Sequence, residues 1–476
     1  MATNDKEPTV ISLISLGCAK NNVDSERILG KLAESGFLIA EDPARADLCL
    51  VNTCGFIHDA REESAGVLRE LQKLKKGGQL KAVVALGCLV ERVTGAPELN
   101  HFLDQADAKI GFQDYPRLAE ICRGLVTREP TSRGYSTGEL VQIKDSRRAS
   151  FTTSYNQFLT APRMRIGSPH LACLKISEGC SNFCKFCSIP RIRGIQVSRP
   201  MEDLLAETRQ LLESGAREIG LIAQDTTSYG RDIYGTFRLA ELLRRLAAEA
   251  GGEPVWFRLM YAFPRFLDAE MLDVLASDSR FCPYIDIPLQ HINDRLLADM
   301  GRGMLRKETV ALLDLIREKL PHGAIRTTFI VGYPGETGEQ FNELLEFVAE
   351  GRFSHAGVFM YSKEPKTLSA NLDDNVPPAE KKRRRDALMR AQLDVSRRRL
   401  KAFEGREVDV MLDGPIPTGS RAPKGCVAVA RSRLEAPEVD GMIFLRGKGL
   451  GRMEPGTVLR AHVTESMDYD LVAEPA

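Results

Sequence analysis

The chain has 476 residues, which at roughly 150 residues per domain corresponds to about three domains. Its 65 Lys and Arg are balanced by 65 Asp and Glu, and 43% of its residues are hydrophobic. This excludes a disordered tail protein and a polybasic nucleic-acid coat. No uncharged apolar run approaches the ~18 to 20 residues that span a bilayer, and the opening segment Met1 to Pro8 lacks the apolar stretch of a signal peptide. A cytoplasmic protein with no membrane contact is expected. In that reducing compartment 11 cysteines, an odd number, do not form a disulfide framework. Metal or redox chemistry becomes their leading role.

Three short apolar runs near the N-terminus each end in a cysteine: Ile11 to Gly17-Cys18, Leu48 to Asn52-Thr53-Cys54-Gly55, and Ala82 to Gly87-Cys88. Buried parallel strands have this appearance. Helical patterns lie between them, at Val23 to Glu34 and Ala60 to Lys75, so a βαβ sheet is expected. In such sheets the carboxyl ends of the strands form the ligand crevice, and Cys18, Cys54 and Cys88 all stand there. One such cysteine is ordinarily a small core residue, but the repeated placement favours a site. Cys49, Cys122, Cys282 and Cys426 read as packing, and so does Cys173.

From Thr127 to Ser154 the chain is polar and aperiodic and reads as a linker. Strands and helices then alternate. Strands are expected at Leu174–Ser177, Glu218–Asp225, Val255–Phe263, Tyr284–His291, Ala324–Gly332 and His355–Tyr361, with amphipathic helices at Met201–Glu213, Phe237–Ala250, Lys307–Leu320 and Glu339–Glu350. Six βα units predict a partial TIM-like barrel with an open side. Polar residues gather at strand ends, namely Gln224-Asp225-Thr226-Thr227, Tyr261, Gln290-His291 and Gly332 to Glu336, with Arg326 inside its strand. Barrel active sites sit at that end, which makes these residues candidates for cofactor or substrate contact.

Within this region Glu178-Gly179-Cys180-Ser-Asn-Phe-Cys184-Lys-Phe186-Cys187 packs three thiols into one short loop. A structural zinc site wants four ligands, usually as two pairs, and no second pair follows. An iron-sulfur cubane held by three cysteines leaves one iron for a small molecule. After Pro377-Pro378 a basic helix runs from Lys381 to Arg399, a solvated face or a nucleic-acid contact. From Phe403 onward short strands at Glu407–Leu412, Val427–Arg431, Gly441–Leu445, Thr457–Thr464 and Tyr469–Val472 predict a small five-stranded antiparallel β-barrel of OB type. Such a barrel contacts RNA or nucleoprotein, or else caps the domain before it.

The Cys180 to Cys187 loop resembles the signature of radical S-adenosylmethionine (SAM) enzymes. The whole chain resembles the methylthiotransferases, through Ser-Leu-Gly-Cys18-Ala-Lys-Asn, Asn-Thr-Cys54-Gly-Phe-Ile, Gly-Cys88-Leu, the stretch Cys187-Ser-Ile-Pro-Arg-Ile-Arg-Gly194, and Ala-Pro437-Glu-Val-Asp440-Gly. The resemblance implies an α/β protein with an N-terminal three-cysteine domain over 8–126, a linker over 127–165, a partial (βα)6 radical SAM barrel over 166–400 and a C-terminal TRAM domain over 403–473. It implies two 4Fe-4S clusters, one on Cys180, Cys184 and Cys187 with SAM on the fourth iron, and an auxiliary one on Cys18, Cys54 and Cys88. Phe186 would lie near the adenine, with Gln224, Asp225, Arg326 and Glu336 as further cofactor contacts.

Ala-Gln224-Asp225-Thr226-Thr227 and Pro-Leu-Gln290-His291 are similar to the RimO-type branch. That branch adds a methylthio group to the β-carbon of an aspartate in ribosomal protein S-twelve, using two SAM and sulfur held at the auxiliary cluster. The implied partners are that protein, a reductant such as flavodoxin and, through the basic helix, ribosomal RNA; a monomer is expected. The alternatives are a tRNA adenosine methylthiotransferase, or a non-catalytic iron-sulfur carrier or zinc-stabilised RNA-binding module.

Overall fold

The computed structural model describes residues 8–127 and 158–476. Of the polar stretch expected as linker, the part from 128 to 157 lies outside the described residues.

The N-terminal unit is a five-stranded parallel sheet in the order β2-β1-β3-β4-β5. Its strands are β1 (Val10–Ser15), β2 (Leu38–Ile39), β3 (Leu48–Thr53), β4 (Ala82–Gly87) and β5 (Ala108–Ile110), connected through helices α1 (Ala19–Glu34), α2 (His58–Lys76), α3 (Cys88–Gly95) and α4 (Leu118–Thr127). Every residue of β3 and β4 is buried, as both faces of a parallel sheet must be. Successive residues alternate between two cores. Leu48, Leu50, Val84 and Leu86 enter one, and Cys49, Val51, Val83 and Ala85 the other. The edge strands β2 and β5 are too short to show as periodic runs and are new relative to the sequence reading. Phe158 and Leu159, inside the stretch expected as linker, pack into the first of these cores. The Phe158 ring stands edge-on to Tyr115 at 4.9 Å.

Six parallel strands make the central unit: β6 (Leu171–Lys175), β9 (Glu218–Ile222), β10 (Trp256–Leu259), β11 (Tyr284–Asp286), β12 (Ala324–Val331) and β13 (His355–Met360). They form two three-stranded ladders, β10-β9-β6 and β11-β12-β13. The ladders meet where the Cys282 N–H donates to the Phe257 carbonyl at 2.8 Å and the Ala262 N–H to the Asp286 carbonyl at 2.8 Å. Among the described residues no ladder joins β6 to β13, so the barrel is open on that side, as six units predict. Helices Met201–Glu213, Leu239–Ala250, Ala269–Ser277, Arg306–Lys319 and Gly338–Ala349 cover its outside. Their apolar faces and the strands share one core. A short antiparallel pair, β7 (Ser177–Glu178) with β8 (Val197–Ser198), closes the neck of the cysteine loop.

The basic run forms one long helix, Pro378–Lys401. Much of its charge is met within the chain. Arg384 pairs with Glu336 at 2.7 Å, Lys381 with Asp374 at 2.7 Å and Arg397 with Asp468 at 2.8 Å. It straps the barrel to the C-terminal unit.

That unit is a closed five-stranded barrel, ordered β14 (Glu407–Pro415), β15 (Cys426–Arg431), β16 (Ile443–Arg446), β18 (Leu471–Pro475), β17 (Val458–Ser466). Its seams are antiparallel except β16 with β18, which run parallel. A closed ring with an odd number of strands cannot alternate direction throughout, so the purely antiparallel expectation is corrected at one seam. The unit sits against the starting ends of the central strands. Glu218, first in β9, receives Arg258 at 2.6 Å and Arg431 at 2.8 Å, and Tyr284, first in β11, donates to Asp440 at 2.6 Å. The barrel-capping role raised by the sequence is therefore realised, at the end opposite the cysteine loop that follows β6.

Candidate active site

The N-terminal cysteines stand at the carboxyl ends of adjacent strands. Cys18 precedes α1 as its cap residue, Cys54 follows β3, and Cys88 opens α3 directly after β4. Because β1, β3 and β4 are neighbours, the chain brings together residues far apart in sequence. Two glycines allow the approach. A Cβ on Gly17, whose φ is +97°, would stand 2.9 Å from the Cys54 Cβ, and one on Gly55 would stand 2.8 Å from the Leu89 Cα. Asn21 ties the loops together, donating to the carbonyls of Leu16 at 2.9 Å and Thr53 at 3.2 Å. Asn52 returns the tie, donating to the Asn21 carbonyl at 2.9 Å.

The electrostatics of this triad are uneven. Burial pushes the Cys88 thiol up to about 12 despite the opposing charge of Arg193. Burial also raises Cys54. Desolvation opposes ionisation of Cys18 too, yet Lys20, Arg193 and nearby backbone N–H groups outweigh it and hold that thiol below its ordinary value. Cys54 feels the charge of Cys18, and Cys88 feels both Cys18 and Cys54.

The second triad sits in the loop after β7. Gly179, at φ +74°, and Phe183, at φ +49°, give the loop left-handed turns, and the Cys180 N–H donates to the Gly194 carbonyl at 3.1 Å. Burial pushes the Cys180 and Cys187 thiols up to about 12. Arg302 donates to the Cys184 sulfur at 3.2 Å while its guanidinium lies 4.3 Å over the Phe263 ring. Buried thiols of this kind do not ionise unaided near neutral pH, and iron ligation supplies the missing positive charge. Among the described residues no three such groups converge on a single metal-ion position. A cubane does not need that convergence, since each thiolate binds a different iron. The donor set therefore fits two clusters.

The other expected contacts divide. Phe186 packs against Leu296, Met300, Ile330, Tyr333 and Tyr361, between the cysteine loop and the strand ends. Gln224 donates to Glu178 at 2.5 Å, and its buried carbonyl oxygen has no partner. Asp225 accepts from Asn182 of the cysteine loop at 2.7 Å and from the Thr227 hydroxyl at 2.6 Å. These three lie with the loop. Glu336 is filled by His291 at 3.1 Å, by Arg384 and by the Gly332 N–H, so it staples the turn after β12. Arg326 pairs with Asp286 at 3.4 Å and Asp440 at 3.2 Å, in register with His355 at the start of β13. Neither is gathered with the cysteines by any contact.

What the sequence reading missed is the joint between the two triads. Arg193, just downstream of Cys187, donates to the Cys88 sulfur at 3.0 Å and to Asp24 at 2.7 Å. From the other side Arg92 of α3 bonds the Phe56 carbonyl at 2.6 Å and Glu364, beyond β13, at 2.6 Å. Arg61 joins the same carboxylate at 2.8 Å. Lys175 completes the buried network, bonding Asp24 and Glu178. A lysine at the end of the apolar run Leu171 to Ile176 was the available signal. Of the cysteines read as packing, Cys49, Cys122 and Cys282 are buried, while Cys173 and Cys426 are partly exposed.

The comparisons with known proteins agree with this construction. Residues 10–111 match the family described as uncharacterized protein family UPF0004, residues 174–348 the radical SAM superfamily, and residues 405–475 the TRAM domain. The fold is shared with the radical SAM methyltransferase TsrM from Kitasatospora setae, at 14% identity and TM-score 0.53, covering 87% of this chain and 79% of that one. Fold and site thus define a radical SAM enzyme flanked by a cysteine-bearing α/β unit and a TRAM barrel.

The finer assignment comes from full-length relatives. The ribosomal protein uS12 methylthiotransferase RimO of Geobacter sulfurreducens is 38% identical over 472 residues, 99% of each chain. Those of Syntrophotalea carbinolica and Chlorobium phaeobacteroides are each 39% identical, covering 98% and 97% of this chain and 97% of each relative. The chain belongs to the RimO methylthiotransferase family.

Proposed function

We propose that the protein methylthiolates the β-carbon of an aspartate in ribosomal protein uS12, with SAM and two 4Fe-4S clusters. The observation that carries this reading is the pair of cysteine triads on two domains that Arg193 ties together at Cys88, in a chain that aligns end to end with RimO enzymes. The aspartyl β C–H bond is too weakly acidic for a side-chain base at neutral pH. When bound, the clusters and SAM supply radical generation at one triad and sulfur with an open iron at the other.

The residues have separable tasks. Cys180, Cys184 and Cys187 would hold the SAM-binding cluster, and Cys18, Cys54 and Cys88 the auxiliary one. Phe186 and Gln224 lie with the Cys180–Cys187 loop, where the Gln224 oxygen left without a partner suits a polar group of SAM. Asp225 holds that loop through Asn182. Arg193, Arg92 and Glu364 fix the N-terminal unit on the barrel so that the two triads keep their relative position. No described helix is long and apolar enough to cross a membrane. A cytoplasmic monomer served by a reductant such as flavodoxin completes the proposal, with the exposed part of the basic helix available to ribosomal RNA.

The test is anaerobic incubation of reconstituted protein with SAM, a strong reductant and uS12, followed by peptide mass spectrometry and assay of deoxyadenosine. A methylthio group on one aspartate supports the reading. Deoxyadenosine without modified peptide removes uS12 as substrate and directs the same assay to tRNA.

A further inference from the structure

Lys20 lies in the first turn of α1 just past Cys18, and the residue is only 8% exposed. A buried ammonium costs several kcal/mol of lost hydration unless something compensates it. Here the compensation is an aromatic face: the Lys20 Nζ stands 3.1 Å from the centroid of the Tyr261 ring. No ion pair joins Lys20 to a carboxylate among the described residues. Asp286, the acid whose charge it feels, is engaged elsewhere. One Asp286 oxygen accepts the Tyr261 N–H at 3.1 Å and the other faces Arg326 at 3.4 Å. Arg326 in turn is met by Asp440 at 3.2 Å. Beside Cys18, the cation meets a ring and that cysteine's sulfur, and among the described residues no carboxylate pairs with it.

The ring is placed at a conformational cost. Tyr261 follows β10 with φ +59°, a region that residues other than glycine rarely occupy. Hydrogen bonds on both sides hold it there, since its carbonyl accepts the Thr226 N–H at 3.1 Å while its own N–H is bound by Asp286. Lys20 and Tyr261 therefore form a pre-set contact between the N-terminal unit and the barrel, next to Cys18.

We infer that Lys20 is a substrate-anchoring residue whose ammonium takes the side-chain carboxylate of the target aspartate, with the Tyr261 ring holding the cation in place. This rests on the uS12 reading above. The reacting β-carbon is bonded directly to that carboxylate carbon, so a cation that grips the carboxylate sets the β-carbon beside the Cys18 site. Made by so buried a cation, a charge-assisted contact of this kind also rejects the neutral amide isostere.

The experiment measures binding of two uS12 loop peptides to the reconstituted holoenzyme with SAM, one carrying the target aspartate and one carrying asparagine there. The wild-type enzyme is expected to prefer the aspartate peptide by roughly tenfold or more. Lys20→Met should bind both as weakly as the wild type binds the asparagine form, and Lys20→Arg should recover part of the preference. Iron content and electron paramagnetic resonance report the clusters separately. A wild type that binds both peptides alike overturns the assignment, as does a Lys20→Met enzyme that still prefers aspartate. If Lys20→Met does not assemble, Lys20→Gln gives the same comparison. A wild type that leaves uS12 unmodified sinks the substrate reading itself, whatever the peptides show.

Discussion

The guanidinium of Arg193 donates to the sulfur of Cys88 at 3.0 Å. A residue in the barrel's cysteine segment thereby touches a cysteine of the other domain. Arg193 also pairs with Glu178 at 3.0 Å and lies 4.9 Å over the Phe112 ring. One side chain of the barrel's cysteine segment thus reaches the N-terminal triad, and its bonds to Asp24 and Glu178 make the domain joint a buried ionic one.

Removing Arg193 leaves two buried carboxylates with reduced compensation. Arg193→Leu is expected to destabilise the protein by about 3–5 kcal/mol, read by thermal denaturation. It should lower auxiliary-cluster occupancy more than that of the SAM cluster, read by iron content and Mössbauer spectra. Arg193→Lys should rescue little, because a point charge cannot reproduce the forked contacts.

The triads have different tasks, so their variants should fail differently. Cys184→Ala is expected to abolish deoxyadenosine formation. Cys54→Ala should still cleave SAM but transfer no sulfur to uS12. Modified peptide from Cys54→Ala, or deoxyadenosine from Cys184→Ala at the native rate, contradicts the assignment.

Glu207 links α1 to the barrel through Arg27 at 2.7 Å, Arg163 at 2.6 Å and Arg199 at 2.6 Å. Burial works against its charge, but the three arginines win and hold the carboxyl at about 2, against an ordinary 4.5. Its stabilisation is complete above the unfolded value and is lost as pH falls from 4.5 towards 2. The loss is on the order of 3 kcal/mol. Glu207→Gln should flatten the acid limb of the melting curve and lower the melting temperature at neutral pH.

Glu91 has the opposite sign. Burial raises its carboxyl to about 7 although it accepts the Phe112 N–H at 2.5 Å. Stability from this group is complete below 4.5 and declines as pH rises towards 7. Glu91→Gln keeps the acceptor without the charge. It should raise the melting temperature at pH ~8 by an amount worth roughly 3 kcal/mol and leave it unchanged at pH ~4.

Asp440 ties the TRAM unit to the barrel through Tyr284 and Arg326. Asp440→Ala leaves a buried phenol and a partly buried guanidinium short of partners, which should cost about 2–4 kcal/mol. Limited proteolysis should then release the unit beginning at Phe403. Resistance equal to that of the wild type shows that the docking rests on Arg431 and Glu218 instead.

Local spacing carried much of this protein on its own. Three thiols between Cys180 and Cys187 must share a loop because the covalent chain allows nothing else. The runs ending in Cys18, Cys54 and Cys88 announce buried strands because alternation and length restrict apolar segments to few conformations. The six βα units and the closing β-barrel follow from the same periodicities. Only the tertiary structure decided that β1, β3 and β4 are neighbours, that Arg193 reaches Cys88, and that Lys20 meets Tyr261. It also put Arg326 with Asp440 and Glu336 with Arg384, where the position of a polar residue on its strand suggested a cofactor contact. Such pairings join residues from 48 to more than 200 positions apart, most of them on different domains. They are chosen by packing and by the need to satisfy buried charge, and neither of these leaves a trace in local spacing.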